Sequence, residues 1–201
     1  MSENKTEISV EALRAGDREE FSRLVDTYSG PIYRLGLKML GIPTDAEDVL
    51  QNTFLKAFQH LKDFEGRSSL STWLYRIASN EALMLLRKQR PEIPLIDLAP
   101  EDEDDTSDYF PKEFTDWRYL PENEFLSSES KAALDRAVRH LPETQRIVFI
   151  LRDIQDLSIR ETSEALNLNE AAVKTRLLRA RLHLREELST YYGERLDKRS
   201  K

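Results

Sequence analysis

The chain has 201 residues, of which 39% are apolar and 33% charged, and its formal charge is −7, so we expect a soluble protein of one domain or two small ones. It has no cysteine, which excludes disulfides and thiolate zinc sites, and its three scattered histidines argue against a metal site. No run of about 18 apolar residues occurs, and the polar start does not resemble a signal peptide. We therefore expect a cytoplasmic protein with no membrane insertion and no cofactor.

The charge is unevenly distributed along the chain. Residues 1–90 hold 13 basic and 13 acidic residues, residues 91–130 hold 2 and 13, and residues 131–201 hold 15 and 11. The acidic middle segment also carries five prolines and no sustained apolar period, which predicts an extended, self-repelling linker. Because both flanks have helical periodicity, we predict an all-α protein with two small helical domains, 15–90 and 131–190, joined by the acidic linker 91–130.

In the first domain, helical periodicity extends from Arg18 to Leu40 and resumes after Gly41-Ile42-Pro43. Thr44, with Glu47 three residues later, predicts a capping box for the second helix. The face of that helix opposite its apolar stripe contains four residues that could contact another protein: Asp48, Gln51, Asn52 and Leu55. An isolated exposed leucine is also normal surface, so this pattern alone leaves both interpretations open.

A loop over residues 63–69 precedes a third helix, predicted from about Leu70 to Lys88. The face opposite its apolar stripe carries Arg76, Asn80, Leu83 and Arg87, with Trp73 at its edge. Such a row suits single-stranded or melted nucleic acid, because bases can stack on rings while arginines bind phosphates. A solvated face with a half-buried Trp73 is the alternative.

The second domain ends in a predicted helix-turn-helix. Ser158 and Glu161 form a capping box for its first helix. Asn167 can adopt the left-handed conformation that ends a helix, and Asn169 can cap the next one. The second helix has a buried stripe of Val173, Leu177, Ala180, Leu184 and Leu188. Its opposite face carries Thr175, Leu178, Arg179 and Leu182, flanked by Lys174 and Arg185. Because leucines alternate with cations there, the face favours a helix in the DNA major groove over a merely solvated surface.

Three segments in this order resemble the bacterial RNA polymerase sigma factors of the sigma-70 family. They read DAEDVLQNTFLKAFQHLKDFEG, STWLYRIASNEALMLLRKQR and LPETQRIVFILRDIQDLSIRETSEALNLNEAAVKTRLLRARLHLR. The resemblance is greatest to the extracytoplasmic-function (ECF) group, which keeps two of the conserved domains. It departs from the group at the start of the recognition helix, which usually has a proline and a Gly-Thr pair and here has Asn169, Glu170, Ala171 and Ala172.

This resemblance implies an alternative sigma factor, not an enzyme, which binds core RNA polymerase and nucleates promoter melting. Polymerase binding is implied for Asp48, Gln51, Asn52 and Leu55. Recognition of the single-stranded minus-10 element is implied for Phe64, Arg67, Ser68, Ser69, Trp73, Arg76, Asn80 and Arg87. Recognition of the double-stranded minus-35 element is implied for Lys174, Thr175, Arg176, Leu178, Arg179 and Arg181. Of these, Lys174, Arg176 and Arg181 are expected closer to the DNA backbone or to the domain's own acids. An anti-sigma factor is an implied partner, able to hold the protein at the membrane.

Two other functions compete with this interpretation. A one-component regulator would need a ligand pocket or phosphoacceptor in residues 1–90, and no strand-like alternation is present there. A protein-only sigma mimic would not need the basic and aromatic residues on the predicted DNA faces. No nucleophile–base pair or metal cluster that would indicate an enzyme can be assembled from the sequence.

Overall fold

The computed structural model describes residues 8–89 and 128–199, and every regular element in these ranges is helical. The N-terminal bundle comprises α1 (Val10–Arg14), α2 (Arg18–Leu40), α3 (Pro43–His60) and α4 (Leu70–Gln89). The C-terminal bundle comprises α5 (Ser128–His140), α6 (Glu143–Phe149), α7 (Ile159–Leu166) and α8 (Glu170–Arg199). A 3₁₀ turn, Leu61–Asp63, follows α3, and a π-helical turn, Ile150–Ile154, continues α6. The predicted all-α fold is confirmed. Residues 91–127 of the predicted linker lie outside the residues that the structure describes.

The helix boundaries of the N-terminal bundle follow from capping residues. The Asp17 carboxylate accepts hydrogen bonds from the backbone of Glu19 and Glu20 and starts α2, which Gly41 ends with a φ of 76°. The predicted Thr44 cap is wrong. Helix α3 begins at Pro43, because proline suits the first helical position, and no side chain caps it.

Close packing joins α2, α3 and α4 into one core. Leu24, Leu35, Val49 and Leu74 are fully buried among these helices. The backbones of α2 and α3 approach so closely that a Cβ on Gly36 would lie 3.0 Å from the Cα of Ala46, so a larger residue here would have to push the α3 backbone away. An ion pair between Lys56 Nζ and the buried Glu81 carboxylate (2.5 Å) also joins α3 to α4. The outer face of α3 is therefore held in a fixed orientation relative to α4.

The C-terminal bundle packs its short helices around the long helix α8. The predicted stripe from Val173 to Leu188 is buried as expected, and α8 packs against α5, α6 and α7. None of the described helices combines the length and apolar character that a membrane span requires.

The two bundles are docked against each other by polar contacts. The buried guanidinium of Arg146 donates to the Met39 carbonyl oxygen (2.7 Å) at the end of α2, and also to the carbonyl oxygens of Arg139 and Leu141 within its own bundle. Lys38 Nζ pairs with the Asp135 carboxylate at 2.5 Å. These contacts connect α2 to α5 and α6.

A second set of contacts centres on Gln155, at the end of the π-helical turn. Its Oε1 accepts a hydrogen bond from the Tyr75 hydroxyl (3.0 Å) on α4, and its Nε2 donates to the Pro31 carbonyl oxygen (3.1 Å) on α2. Burial is the main cause that raises the pKa of Tyr75 to about 12, with a further contribution from Tyr28. One amide side chain thus connects the C-terminal bundle to two helices of the N-terminal bundle.

Candidate nucleic-acid and protein-binding surfaces

Side-chain caps define the start of α7 and the turn between α7 and α8. The Ser158 hydroxyl accepts from the Glu161 backbone N–H (3.1 Å) and the Glu161 carboxylate accepts from the Ser158 backbone N–H (2.8 Å), so the predicted capping box is confirmed. These bonds lower the pKa of Glu161. Asn167 ends α7 with a φ of 54°, and Asn169 Oδ1 accepts from the Ala172 backbone N–H (2.6 Å). The start of α8 is therefore rigidly positioned.

The outward face of α8 combines charge with partly exposed apolar surface. Lys174 is exposed, and Thr175, Leu178 and Arg179 are half-buried. These four residues lie opposite the buried stripe and within the first three turns of the helix. Two cations, a hydroxyl and a leucine side chain are therefore presented together, which is the chemistry needed to contact phosphates, base edges and thymine methyl groups.

Arg176 and Arg181, on the same helix, have different environments from the four residues of the outward face. Arg176 is 2% exposed and lies only about 40° from Ala180 around the helix, on the side that packs into the core. This burial favours an environment within its own domain over contact with the DNA backbone, and the role of Arg176 stays a prediction. Arg181 forms a bidentate ion pair with Asp153, with distances of 2.9 and 2.8 Å. This pairing matches one of the two alternatives predicted for Arg181, an acid of its own domain, and its contact with the DNA backbone stays a prediction.

Ser69 fixes the start of α4 at the end of the loop 64–69. Its hydroxyl accepts from the Thr72 backbone N–H (3.1 Å) and lies 2.8 Å from the Ser71 hydroxyl, while its carbonyl oxygen accepts from the Trp73 N–H (3.0 Å). Arg67 and Ser69 are exposed, and Ser68 is half-buried. Ser69 is thus first a capping residue, and its hydroxyl has less freedom to bind a base than the sequence suggests.

Phe64, the first residue of the loop 64–69, is buried against Trp73. Its ring is only 6% exposed and packs on Trp73 with a distance of 5.0 Å between ring centroids. Phe64 is thus less exposed than the half-buried Trp73, although it still lines the cleft beside the loop, and its predicted contact with the minus-10 strand stays a prediction. Trp73 is the aromatic surface that remains available at this position.

The outward face of α4 is a row of exposed polar residues with one exception. Arg76, Asn80 and Arg87 are exposed, as expected. Leu83, which was expected on this face, is 3% exposed and belongs to the core, and its place is taken by Met84, which is 50% exposed. The predicted position of Leu83 on this face is therefore wrong, because Leu83 and Met84 are both apolar and helical periodicity does not choose between them.

The outward face of α3 contains the predicted protein-binding residues together with one that was missed. Asp48, Gln51 and Leu55 are exposed and Asn52 is half-buried. Phe58, one turn after Leu55, is 59% exposed, and its ring meets that of Phe21 edge-on at 5.2 Å between centroids. The signal for it was available, because Phe58 follows Leu55 at a spacing of three on the helix.

A cleft of about 780 Å³ separates the loop 64–69 from the helix-turn-helix. The residues lining its N-terminal side include Phe64, Arg67, Ser68, Trp73 and Arg76. The residues lining its C-terminal side are Ser163, Glu164, Asn167, Leu168 and Asn169. The predicted minus-10 surface therefore faces the turn of the helix-turn-helix across a space that would hold one small ligand or a single nucleotide, but not several nucleotides of a strand.

Comparisons with known proteins place both bundles in one family. The family described as "Sigma-70 region 2" matches residues 24–92, and "Sigma-70, region 4" matches residues 131–184. The chain is 34% identical over 179 residues to the ECF RNA polymerase sigma factor SigW of Bacillus subtilis, covering 89% of this chain and 94% of that protein. It is 35% identical over 184 residues to the ECF RNA polymerase sigma-E factor of Escherichia coli K12, covering 90% and 93%.

Two solved structures have a similar fold. One is CnrH in complex with the cytosolic domain of CnrY, with a TM-score of 0.62, 23% identity, and coverage of 90% of this chain and 95% of that one. The other is the sigma factor RpoE in complex with the anti-sigma factor NepR from Bartonella quintana, with a TM-score of 0.63, 22% identity, and coverage of 85% and 98%.

Proposed function

The chain belongs to the extracytoplasmic-function group of the sigma-70 family of RNA polymerase sigma factors, and from this premise we propose which of its surfaces bind polymerase and promoter DNA. As an alternative sigma factor, it binds core RNA polymerase and directs promoter-specific initiation of transcription. One observation carries the assignment of surfaces. A capped helix-turn-helix with a basic outward face lies in the same chain as an α4 face of exposed Arg76, Asn80 and Arg87.

The outward face of α8 binds the minus-35 element in this proposal. The fixed turn delivers the first three turns of α8 into the major groove, as in other helix-turn-helix proteins. Arg179 has the donor geometry for a guanine edge, and Thr175 and Leu178 can contact thymine methyl groups. The exposed ammonium of Lys174 binds a phosphate. Glu170 lies next to it at the helix N-terminus, 3.9 Å from Lys174 Nζ, and reduces its net attraction for DNA.

The loop 64–69 and the outward face of α4 bind the melted minus-10 strand. Trp73 offers an aromatic face on which a base can stack, and Arg76 and Arg87 bind phosphates along the helix. Asn80, exposed between them, can pair with base edges that duplex DNA hides. Binding only the open strand lowers the free energy of melting, since unstacking costs about a few kcal/mol per step.

The outward face of α3 binds core polymerase. Leu55 and Phe58 form an apolar centre, and Asp48, Gln51 and Asn52 form a polar rim around it. An apolar centre with a polar rim is the usual anatomy of a protein–protein interface, in which aromatic residues supply most of the binding energy. We expect an anti-sigma factor to compete for these surfaces in the cytoplasm, because one structural neighbour is a complex with the anti-sigma factor NepR and the other a complex with the cytosolic domain of CnrY.

Catalysis of RNA synthesis is left to polymerase in this proposal. The chain contributes binding energy and selects the start site, and it carries out no covalent step. Polymerase therefore determines the rate of nucleotide addition, and this chain determines where that addition begins.

The docked bundles cannot reach both promoter elements at once. At about 3.4 Å per base pair, elements about 25 pairs apart are separated by about 85 Å, whereas α4 and α7 are in contact across the cleft. Initiation therefore requires that the contacts of Arg146, Gln155 and Lys38 break. The outward face of α3 is exposed in the docked chain, so polymerase can bind before the bundles separate.

Reconstitution tests the proposal directly. Core polymerase is incubated with the chain, isolated by size exclusion, and used for run-off transcription on a pool of genomic fragments, with core polymerase alone as the control. We expect a stable complex that initiates at promoters sharing two elements, and scrambling either element should abolish the transcript. A chain that binds DNA as a dimer and leaves polymerase unbound would refute the proposal and favour a one-component regulator.

A further inference from the structure

The cleft between the loop 64–69 and the turn of the helix-turn-helix has one wall from each bundle. Its volume of about 780 Å³ lies within the range of small-molecule sites, which occur preferentially where two domains meet. Hydrogen bonds from Arg146 and Gln155 across the interface, together with direct contact between α4 and α7, hold the two walls at a fixed separation. The cleft therefore belongs to the docked chain and is lost when the bundles separate.

The N-terminal wall presents an aromatic ring in a fixed position. Trp73 is half-buried, and its ring packs on that of the buried Phe64 with 5.0 Å between the centroids. Because this packing already restricts the indole, a planar ligand that stacks on Trp73 costs little further conformational entropy. Every nucleobase has a π-face that can stack on such a ring, so this wall suits a base.

The acidic side chains of the cleft are already compensated or screened. The Glu65 carboxylate pairs with Arg67 at 2.8 Å, and the Glu164 carboxylate pairs with Arg160 at 2.9 Å. The third lining acid, Asp63, has a side chain that is 81% exposed, so water and salt screen its charge. These residues therefore do not make the cleft a site for a cation.

Arg76 supplies the uncompensated charge of the cleft. It is exposed in the wall that contains Trp73, and among the described residues no carboxylate forms an ion pair with it. Three residues on a helix separate the two side chains by about 4.5 Å along the axis and about 60° around it, so both can reach one ligand. A guanidinium binds two oxygens of a phosphate through parallel N–H donors, which favours a ligand with an aromatic ring and a phosphate.

The C-terminal wall presents hydrogen-bond donors. Asn169 Oδ1 accepts from the Ala172 backbone N–H (2.6 Å), and this cap fixes the amide group at the start of α8. Within residues 8–89 and 128–199 the Asn169 Nδ2 makes no hydrogen bond, so its two hydrogens are available to a ligand in the cleft. Amide donors of this kind bind phosphate oxygens and the acceptors on a base edge.

We propose that this cleft is a binding site for a nucleoside monophosphate that holds the two bundles together. The base stacks on Trp73, the phosphate binds Arg76, and Asn169 donates to the ligand from the opposite wall. The site needs both walls, which distinguishes it from a surface that binds a base through the N-terminal bundle alone.

The ligand acts on the docking equilibrium. Because it contacts both bundles, it binds the docked chain in preference to the separated one. At a ligand concentration ten times the dissociation constant, the ratio of docked to separated chain rises about elevenfold. Trp73 and Arg76 are also assigned to the minus-10 strand, so the bound nucleotide removes them from promoter binding. This consequence, unlike the binding site itself, rests on the proposed function.

The fluorescence of Trp73 tests binding in the whole chain without polymerase. The sequence contains two tryptophans, and Trp117→Phe leaves Trp73 as the only one. On titration with AMP we expect saturable quenching, because the base stacks on the indole. Adenosine and inorganic phosphate, the latter tested as a competitor of AMP, each keep only part of the contacts and should bind at least about tenfold more weakly.

Substitutions in each wall test whether the site spans both bundles. Arg76→Gln removes the guanidinium and should lower the affinity for AMP about tenfold or more. Asn169→Asp keeps an oxygen that caps α8 but replaces the amide donors with a negative charge, and it should also lower the affinity about tenfold or more. Asn169→Ser caps α8 without that charge and without amide donors, and it should lower the affinity about two- to tenfold.

Gln59→Glu is the matched control. It makes the same change of an amide to a carboxylate at an exposed residue of α3 that does not line the cleft, so the affinity for AMP should stay within about twofold. Quenching that does not saturate would refute the site, as would an equal loss of affinity in Gln59→Glu. A loss confined to the variants of one wall would refute the bridging of the bundles. If the chain binds AMP as expected but forms no holoenzyme with core polymerase, the proposed function fails and the site stands.

Discussion

Replacing Gln155 with alanine removes both hydrogen bonds by which its side chain joins the two bundles. The Tyr75 hydroxyl loses its acceptor at 3.0 Å and the Pro31 carbonyl oxygen loses a donor at 3.1 Å. At about 0.5–1.5 kcal/mol for each bond, docking is weakened by about 1–3 kcal/mol, and the buried Tyr75 hydroxyl left without a partner places the value toward the upper end. The equilibrium should therefore shift about 5- to 150-fold toward separated bundles.

Fluorescence energy transfer between the bundles measures this shift. The chain contains no cysteine, so dyes can be attached only at the introduced residues of His60→Cys and Arg160→Cys, both of which are exposed in the docked chain. We expect lower transfer in Gln155→Ala, and in a series of urea concentrations below the unfolding transition its transfer should fall at a lower concentration than in the original chain.

Gln89→Ala is the control for the same chemical change. It removes a hydrogen bond to Asp45 (2.7 Å) that lies wholly within the N-terminal bundle, so transfer between the bundles should not change. Identical urea profiles for Gln155→Ala and the original chain would refute the reasoning that Gln155 holds the bundles together. A decrease of equal size in Gln89→Ala would show that loss of an amide side chain acts through stability alone.

Three further predictions concern other surfaces. Arg179→Ala should weaken holoenzyme binding to a selected minus-35 element by about 1–3 kcal/mol in a filter-binding assay; an equal loss on random DNA would assign Arg179 to phosphate. Phe58→Ala should weaken polymerase binding by about 2 kcal/mol or more in a competition assay, whereas Ile42→Ala should not; an unchanged affinity would remove Phe58 from the interface. The pKa of Tyr75, raised from 10.0 to about 12, means that the folded chain loses stability as pH rises from about 10 to 12. Tyr75→Phe should reduce this loss in denaturant titrations, and an unchanged pH dependence would contradict the assignment.

Local features of the fold could be predicted from sequence because they depend on neighbouring residues. The capping box of Ser158 and Glu161, the left-handed Asn167 and the Asn169 cap each act within four residues, and all three were confirmed. Thr44 failed as a cap because the neighbouring Pro43 is itself favoured at the first helical position.

Predictions failed where the orientation of a side chain depends on distant packing. Periodicity places Arg176 at the border of the buried stripe, and only the packing of the C-terminal bundle decides that it is covered. The same holds for the choice between Leu83 and Met84. The hydrogen bonds of Gln155 join residues separated by 80 and 124 positions, and no local pattern indicates such contacts.

The docked arrangement has a consequence for the competition among DNA sites in a cell. A genome contains about a million or more competing non-specific DNA sites. A chain that could bind both promoter elements without polymerase would be distributed over many of these sites. While its bundles are docked, this chain can bind a competing DNA site through only one of its two DNA-binding surfaces. Binding through one surface has a low affinity. The concentration of free core polymerase, and not the number of promoter-like sequences in the genome, then determines the fraction of this protein that is bound at promoters.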